Sequence, residues 1–244
     1  MPKTIQFLIT CEHGGNRIPP QFRHLFTSHE LLLESHRGYD AGALAMAKLL
    51  AKTLSAPLFI SNTSRLLIDL NRSIGHPKLH FETVSQAPSA IRDDILKHYY
   101  LPYRNKAESV ITSAIKQDKM VIHISSHSFT PELNGEIRNA DIGLLYDPAR
   151  RAEAELCSRW QMAFKSQLPN LKVRRNYPYS GKSDGFTAYL RRQFEPENYV
   201  GIELEINQKH VFNGTRQWQS LRETVIRSLL EALKTDTRCS SKDC

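Results

Sequence analysis

Short apolar runs alternate with helical patterns along this chain, and that alternation restricts its fold more than any other feature. Residues 5–11, 58–61, 66–70, 120–126, 142–146, 172–175 and 200–207 read as strands, the run at 172–175 as an edge strand. Between them, Leu44, Ala47, Leu50 and Leu54 recur at helical spacing behind Asp40, a good N-cap residue. Further helices are predicted over 91–117, with a break near Pro102, from Asp147-Pro148 to 168, and over 214–234. Residues 73–90, with Pro77 and Pro88, read as loop. Strands alternating with helices predict an α/β fold: a mixed, mainly parallel sheet with helices on both faces, in three layers. Residues 1–234 are expected to form one domain, with the polar stretch 235–244 as a disordered tail.

Composition narrows the class. The 244 residues, 40% hydrophobic and 24% charged, suit one large domain with a sizeable core. No run of about 18 apolar residues is present, so no membrane partner is expected. The opening Ile5–Ile9 run is too short for a secretion signal and reads as the first strand. Cys11, Cys157, Cys239 and Cys244 form no paired metal spacing and fit a reduced, cytoplasmic protein. The net charge of +8 favours anionic partners. With no Lys/Arg block longer than two and no interleaved aromatic ladder, an acidic small molecule fits that charge better than nucleic acid.

In such folds the ligand site lies at the carboxyl ends of the strands. There the sequence places Glu12 and His13 after the first run, Asn71 and Arg72 after the run at 66–70, and His127 after the run at 120–126. Glu203 and Glu205 share a face of the late strand, because strand side chains alternate. A hydrolytic zinc centre needs about three such protein ligands and an open position for water. It also needs a carboxylate to move a proton and an arginine fork to hold a substrate carboxylate. Each requirement has a candidate and a structural alternative. His13 is a metal ligand or a packed turn histidine. Asp40 is a ligand or a helix cap, with Glu12 and His36 as rivals. Glu205 is a proton carrier, with Glu203 as the alternative, and two acidic residues on a buried strand are costly unless paired. Arg72 binds substrate or pairs with Asp69. Arg138, and less directly Arg65 and Arg175, can hold a carbonyl or a second carboxylate. His123 shares a face with His127 and reads as core or as an orienting partner. The stretch from Tyr177 to Gly185 reads as a loop, either a lid or a plain surface loop.

The segments Thr10–Pro19, Tyr39–Ala43, Ser64–Arg72, Ser126–Pro131 and Gly201–Asn207, in that order, resemble the motifs of the N-formylglutamate amidohydrolases, whose likeness runs from about residue 5 to 210. That resemblance implies a single-domain, phosphorylase/hydrolase-like α/β fold related to the zinc carboxypeptidases. It also implies one Zn2+ and hydrolysis of an N-formyl-L-glutamate-like amide, a small carboxylated N-acyl amino acid. By the same resemblance His13 and His127 are metal ligands, Asn71 and Arg72 hold the substrate carboxylate, and Glu205 is the general base. The carboxypeptidase pattern has a glutamate ligand three residues after the first histidine, where this chain has Asn16. Asp40 is the expected replacement. A deacylase or carboxypeptidase acting on another N-acyl compound, and a non-catalytic anion-binding module, stand as alternatives.

Overall fold

The computed structural model describes residues 3–234. The strands are β1 (Thr4–Cys11), β2 (Leu58–Ile60), β3 (Lys119–Phe129), β4 (Glu132–Leu133), β5 (Glu136–Ile137), β6 (Ile142–Leu145), β7 (Val173–Arg175) and β8 (Tyr199–Asn207). The helices are α1 (Glu30–Leu33), α2 (Ala43–Leu54), α3 (Glu82–Ser85), α4 (Ser89–Ile95), α5 (Leu101–Lys116), α6 (Arg151–Gln167), α7 (Phe186–Gln193), α8 (Lys209–Phe212) and α9 (Thr215–Leu233). Six strands form one sheet in the order β2-β1-β3-β8-β6-β7. The first four are parallel, whereas β6 runs antiparallel to β8 and β7 follows the direction of β6. A separate hairpin pairs β4 with β5. No helix among the described residues is long and apolar enough to cross a membrane.

The two faces of the sheet differ in chemistry. One face stays apolar along its length: Ile9 and Cys11, Ile122 and Ile124, Ile142 and Leu144, and Val200, Ile202, Leu204 and Ile206 pack there against α2, α6 and α9. Burying these side chains stabilises by about 1.5–3 kcal/mol each and fixes the strand register, since a one-residue slip would turn them to the other face. The opposite face begins apolar with Leu8, Val121 and Tyr199, under α5 and α7. Further along it becomes polar. Thr10 and Glu12, His123, Ser125 and His127, and Glu203 and Glu205 follow at two-residue intervals, and all are buried. A sheet can bury such a row only by pairing its members, so the polar end of this face is where partners must converge.

The structure departs from the sequence reading in several places. Residues 66–70 are not a strand but a series of turns. Leu66, Leu67, Ile68 and Leu70 nevertheless bury in the core under α5, which explains the apolar run. The helix predicted over 91–117 is continuous in direction but divided, with α4 and α5 joined by a π-helical stretch at Leu96–Tyr100 just before Pro102. The helix expected from Asp147 begins at Arg151. The expected tail, 235–244, lies outside the described residues. Cys11 and Cys157 are both buried and free. Gly14 and Gly15 serve close approach: a side chain on Gly15 would meet the backbone of Asn62.

Candidate functional site

The turn after β1, the segment before α2 and the end of β3 bring His13, Asp40 and His127 together. One donor atom from each lies within 4.8 Å of the others, and all three residues are buried. Asp40 does not cap α2, whose N-cap is Gly42. Its carboxylate faces both imidazoles, with Oδ2 3.2 Å from His13 Nδ1 and 2.8 Å from His127 Nδ1. The far side of each imidazole meets another carboxylate. His13 Nε2 lies 2.7 Å from Asp69 Oδ1. His127 Nε2 lies 3.1 Å from Glu12 Oε2 and 2.8 Å from Ser125 Oγ. Glu12 is itself held by the Ser125 hydroxyl at 2.6 Å and the Tyr103 hydroxyl at 3.0 Å.

A histidine that ligates a metal through one nitrogen commonly has the other fixed by a carboxylate. Both histidines here have that arrangement, so the donor set fits a divalent cation. The charges fit as well. Glu12, Asp40 and Asp69 together carry two more negative charges than Arg65 offsets. Burial by itself would raise the carboxyl pKa of Glu12, Asp40 and Asp69. Hydrogen bonds and charges from His127 for Glu12, from both histidines for Asp40, and from Arg65 and His13 for Asp69 instead hold all three well below the usual range. Burial opposes the charged form of His127, yet its contacts with Asp40 and Glu12 lift its pKa well above normal. A dication can therefore replace imidazole protons at little electrostatic cost.

The other predicted residues lie around this centre. Arg65 donates to Asp69 Oδ2 through Nε at 3.2 Å and Nη2 at 2.7 Å, and to Asp40 Oδ1 at 3.3 Å. Asp69 thus pairs with Arg65 and not with Arg72. Glu12 stands behind His127, and His36 is exposed on the pocket wall; neither joins the three clustered donors. His123 is a core residue between Thr10 Oγ1 and the Tyr199 hydroxyl, both at 2.7 Å, and burial pushes its pKa down to about 4. Asn71 Oδ1 accepts the Phe186 amide at 2.6 Å. Arg72 Nη1 donates to the Asp184 carbonyl at 2.6 Å, while its buried Nε has no partner among the described residues.

Glu205 lies beside His127 in the β3–β8 register. Its Oε2 is buried without a hydrogen-bond partner among the described residues. Burial first, and then the charges of Asp40 and Glu203, push its pKa up to about 8 against the opposing pull of His127. Glu203, by contrast, accepts the Thr187 hydroxyl at 2.6 Å. Gly143 is opposite Glu205 on β6, and a side chain there would collide with the Tyr177 carbonyl, so glycine lets the 176–185 loop cross close to the centre.

A pocket of about 460 Å³ opens over the cluster, lined by Asp40, Asp69, Arg65, Arg72, Arg138 and Tyr179 among others. Arg138 lies over the Tyr179 ring at 5.0 Å, which turns its guanidinium along the wall. The sequence reading had Tyr179 only as part of a loop and Asp69 only as a possible partner of Arg72; the structure puts both on the pocket wall. Asp69 had a detectable signal, since it follows an apolar run and precedes Asn71-Arg72.

The model of the N-formylglutamate amidohydrolase family matches residues 5–212. The chain belongs to that family. Its reaction class is that of an amidohydrolase. Among solved structures, a gene product of Agrobacterium tumefaciens is 28% identical with a TM-score of 0.77, over 92% of this chain and 90% of that one. N-formylglutamate amidohydrolase from Ralstonia eutropha JMP134 is 17% identical with a TM-score of 0.69, over 94% and 93% of the two chains. At that identity the likeness speaks for the fold. No curated protein matches the chain.

Proposed function

We propose that this amidohydrolase cleaves the amide of a small N-acyl acidic amino acid, N-formyl-L-glutamate or a near relative, with one Zn2+ held by His13, Asp40 and His127. The observation that carries this reading is the buried donor set, each imidazole backed by a carboxylate, beneath a cation-lined pocket. When bound, the metal supplies a Lewis acid for the amide oxygen and lowers the pKa of water to about 7.

The chain's own residues perform the rest. Asp69 and Glu12 fix the two imidazoles and orient their Nδ1 atoms toward Asp40. Arg65 ties Asp40 to Asp69 and keeps both ionised. Glu205 takes a proton from the attacking water at its unpartnered Oε2 and returns it to the leaving amine. A carboxyl group with a pKa near the working pH can do both. Arg72 and Arg138 hold the carboxylates of the amino-acid part, and the planar guanidinium matches a carboxylate in two hydrogen bonds. Asn71 supports this arrangement by fixing the start of α7 against the Arg72 loop.

Elemental analysis combined with N-formyl-, N-acetyl- and N-succinyl-L-glutamate assays tests the reading. About one zinc per chain, activity abolished by a chelator, and recovery on adding zinc are expected. Full activity in protein shown to be metal-free would refute it.

A further inference from the structure

The pocket carries more positive charge than an N-formyl amino acid can use. Arg65 is committed to Asp40 and Asp69. Arg37, Arg72, Lys78 and Arg138 also line the pocket, and among the described residues none forms an ion pair with a carboxylate. Beyond Asp40 and Asp69, the only acidic side chain on the wall is the exposed Glu82. An N-formyl acidic amino acid has two carboxylates, which Arg72 and Arg138 would satisfy. Arg37 and Lys78 remain. Arg37 lies over the Phe81 ring at 5.6 Å, and Lys78 stands three residues before that ring in the same loop. Phe81 is itself stacked on Phe26 and met edge-on by His29, so the support under Arg37 is packed.

Size points the same way. A cavity of about 460 Å³ lies in the range that encloses drug-sized ligands, whereas N-formylglutamate is far smaller. Phe81, Leu66, Leu133 and Phe129 provide apolar wall between the charged groups. That surface suits methylene groups and not a bare formyl hydrogen.

Resting on the amide reading above, we propose that the substrate's acyl group itself ends in a carboxylate, held by Arg37 and Lys78, so that the scissile bond joins an acidic amino acid to a dicarboxylic acyl chain. Water adds across that bond. The carbonyl carbon gains a C–O bond, the C–N bond breaks with its electron pair going to nitrogen, and the amine leaves with the proton. The products are a free dicarboxylate and an acidic amino acid, with no oxidant or further co-reactant.

The test compares N-formyl-, N-butanoyl- and N-succinyl-L-glutamate with the zinc-loaded enzyme. The last two acyl chains have similar length and differ by one carboxylate. We expect kcat/KM for the succinyl compound to exceed that for the butanoyl compound by about tenfold or more. We expect the exposed double variant Arg37→Ala/Lys78→Ala to reduce that ratio by a similar factor. A butanoyl compound cleaved as well as the succinyl one, or a ratio untouched by the variant, overturns the anionic-acyl proposal while amide hydrolysis stands. If none of the three is cleaved, the amide reading itself fails. Calorimetric binding of N-succinyl-L-glutamate then decides the anion subsite: equal affinity in the wild type and the double variant removes it.

Discussion

Glu205→Gln should stabilise the metal-free protein while destroying its activity. Glutamine keeps the shape of the side chain and removes the ionisable group. In the folded chain burial pushes the Glu205 pKa up from 4.5 to about 8, and its Oε2 has no partner among the described residues. A carboxyl raised on folding is bound to its proton in the native state and ionised in the unfolded state between those two values. The native state therefore holds more protons there. The group's contribution is most favourable below pH 4.5, is lost as pH rises through the native pKa, and is constant above it. Each pH step in that window costs about 1.4 kcal/mol, so at pH 7.5 the ionisable Glu205 destabilises by roughly 4 kcal/mol relative to a neutral isostere. For a chain of this size that is a gain of about 10 °C in Tm. Thermal unfolding of chelator-treated wild type and variant, from pH 5 to 8, reads this directly. Other titrating groups are common to both proteins and cancel in the difference. The gap should widen with pH and narrow when zinc is added, because a bound dication stabilises the ionised carboxylate. The variant's kcat should fall by about 100-fold or more. A Tm difference that is the same at pH 5 and pH 8 would refute the assignment of a carboxyl whose pKa is raised by burial.

The remaining predictions concern the surrounding residues. Zinc affinity should tighten about tenfold per pH unit through neutrality, because the raised pKa of His127 makes the metal displace its proton; a pH-independent Kd by competition titration would contradict this. Asp69→Asn removes the carboxylate behind His13 and one partner of Arg65, and should weaken zinc binding by about 10–100-fold against a chromophoric chelator; unchanged affinity would remove Asp69 from the site. Arg138→Ala should raise KM by about tenfold or more with a smaller effect on stability, and an unchanged KM would place the substrate elsewhere. Gly143→Ala would drive a methyl group into the Tyr177 carbonyl and should lower stability by about 1–3 kcal/mol in urea unfolding.

Much of this arrangement could be read from the amino-acid order, and its gaps have physical reasons. β1, β3 and β8 were visible because a buried strand combines apolar side chains with a polar residue where it ends. His13 and His127 stood out at two of those ends and Asp40 ahead of α2, although only three-dimensional approach shows that Asp40 faces both imidazoles. Residues 66–70 misled because burial in turns and burial in a strand select the same leucines and isoleucine; no periodicity separates them over five residues. The carboxylates behind the histidines were obscure for a different reason. Asp69 meets His13 across 56 positions and Ser125 meets Glu12 across 113, and spacing carries no record of such contacts. The ion pairs of Arg65 with Asp40 and Asp69 were hidden likewise, because they arise only after the chain has folded.

The reversed direction of β6 has a consequence for how this molecule can diversify. In a sheet whose strands all point one way, a connection that leaves the reactive margin must travel back behind the sheet before the next strand begins. Here the stretch from Thr130 to Asp141 departs from β3 and enters β6 at the same margin, carrying the β4–β5 hairpin and Arg138 with it. It can grow, shrink or change sequence without rethreading any strand or moving the histidines. Selectivity can therefore drift in that one detachable stretch while the hydrolytic centre stays fixed in the pleat.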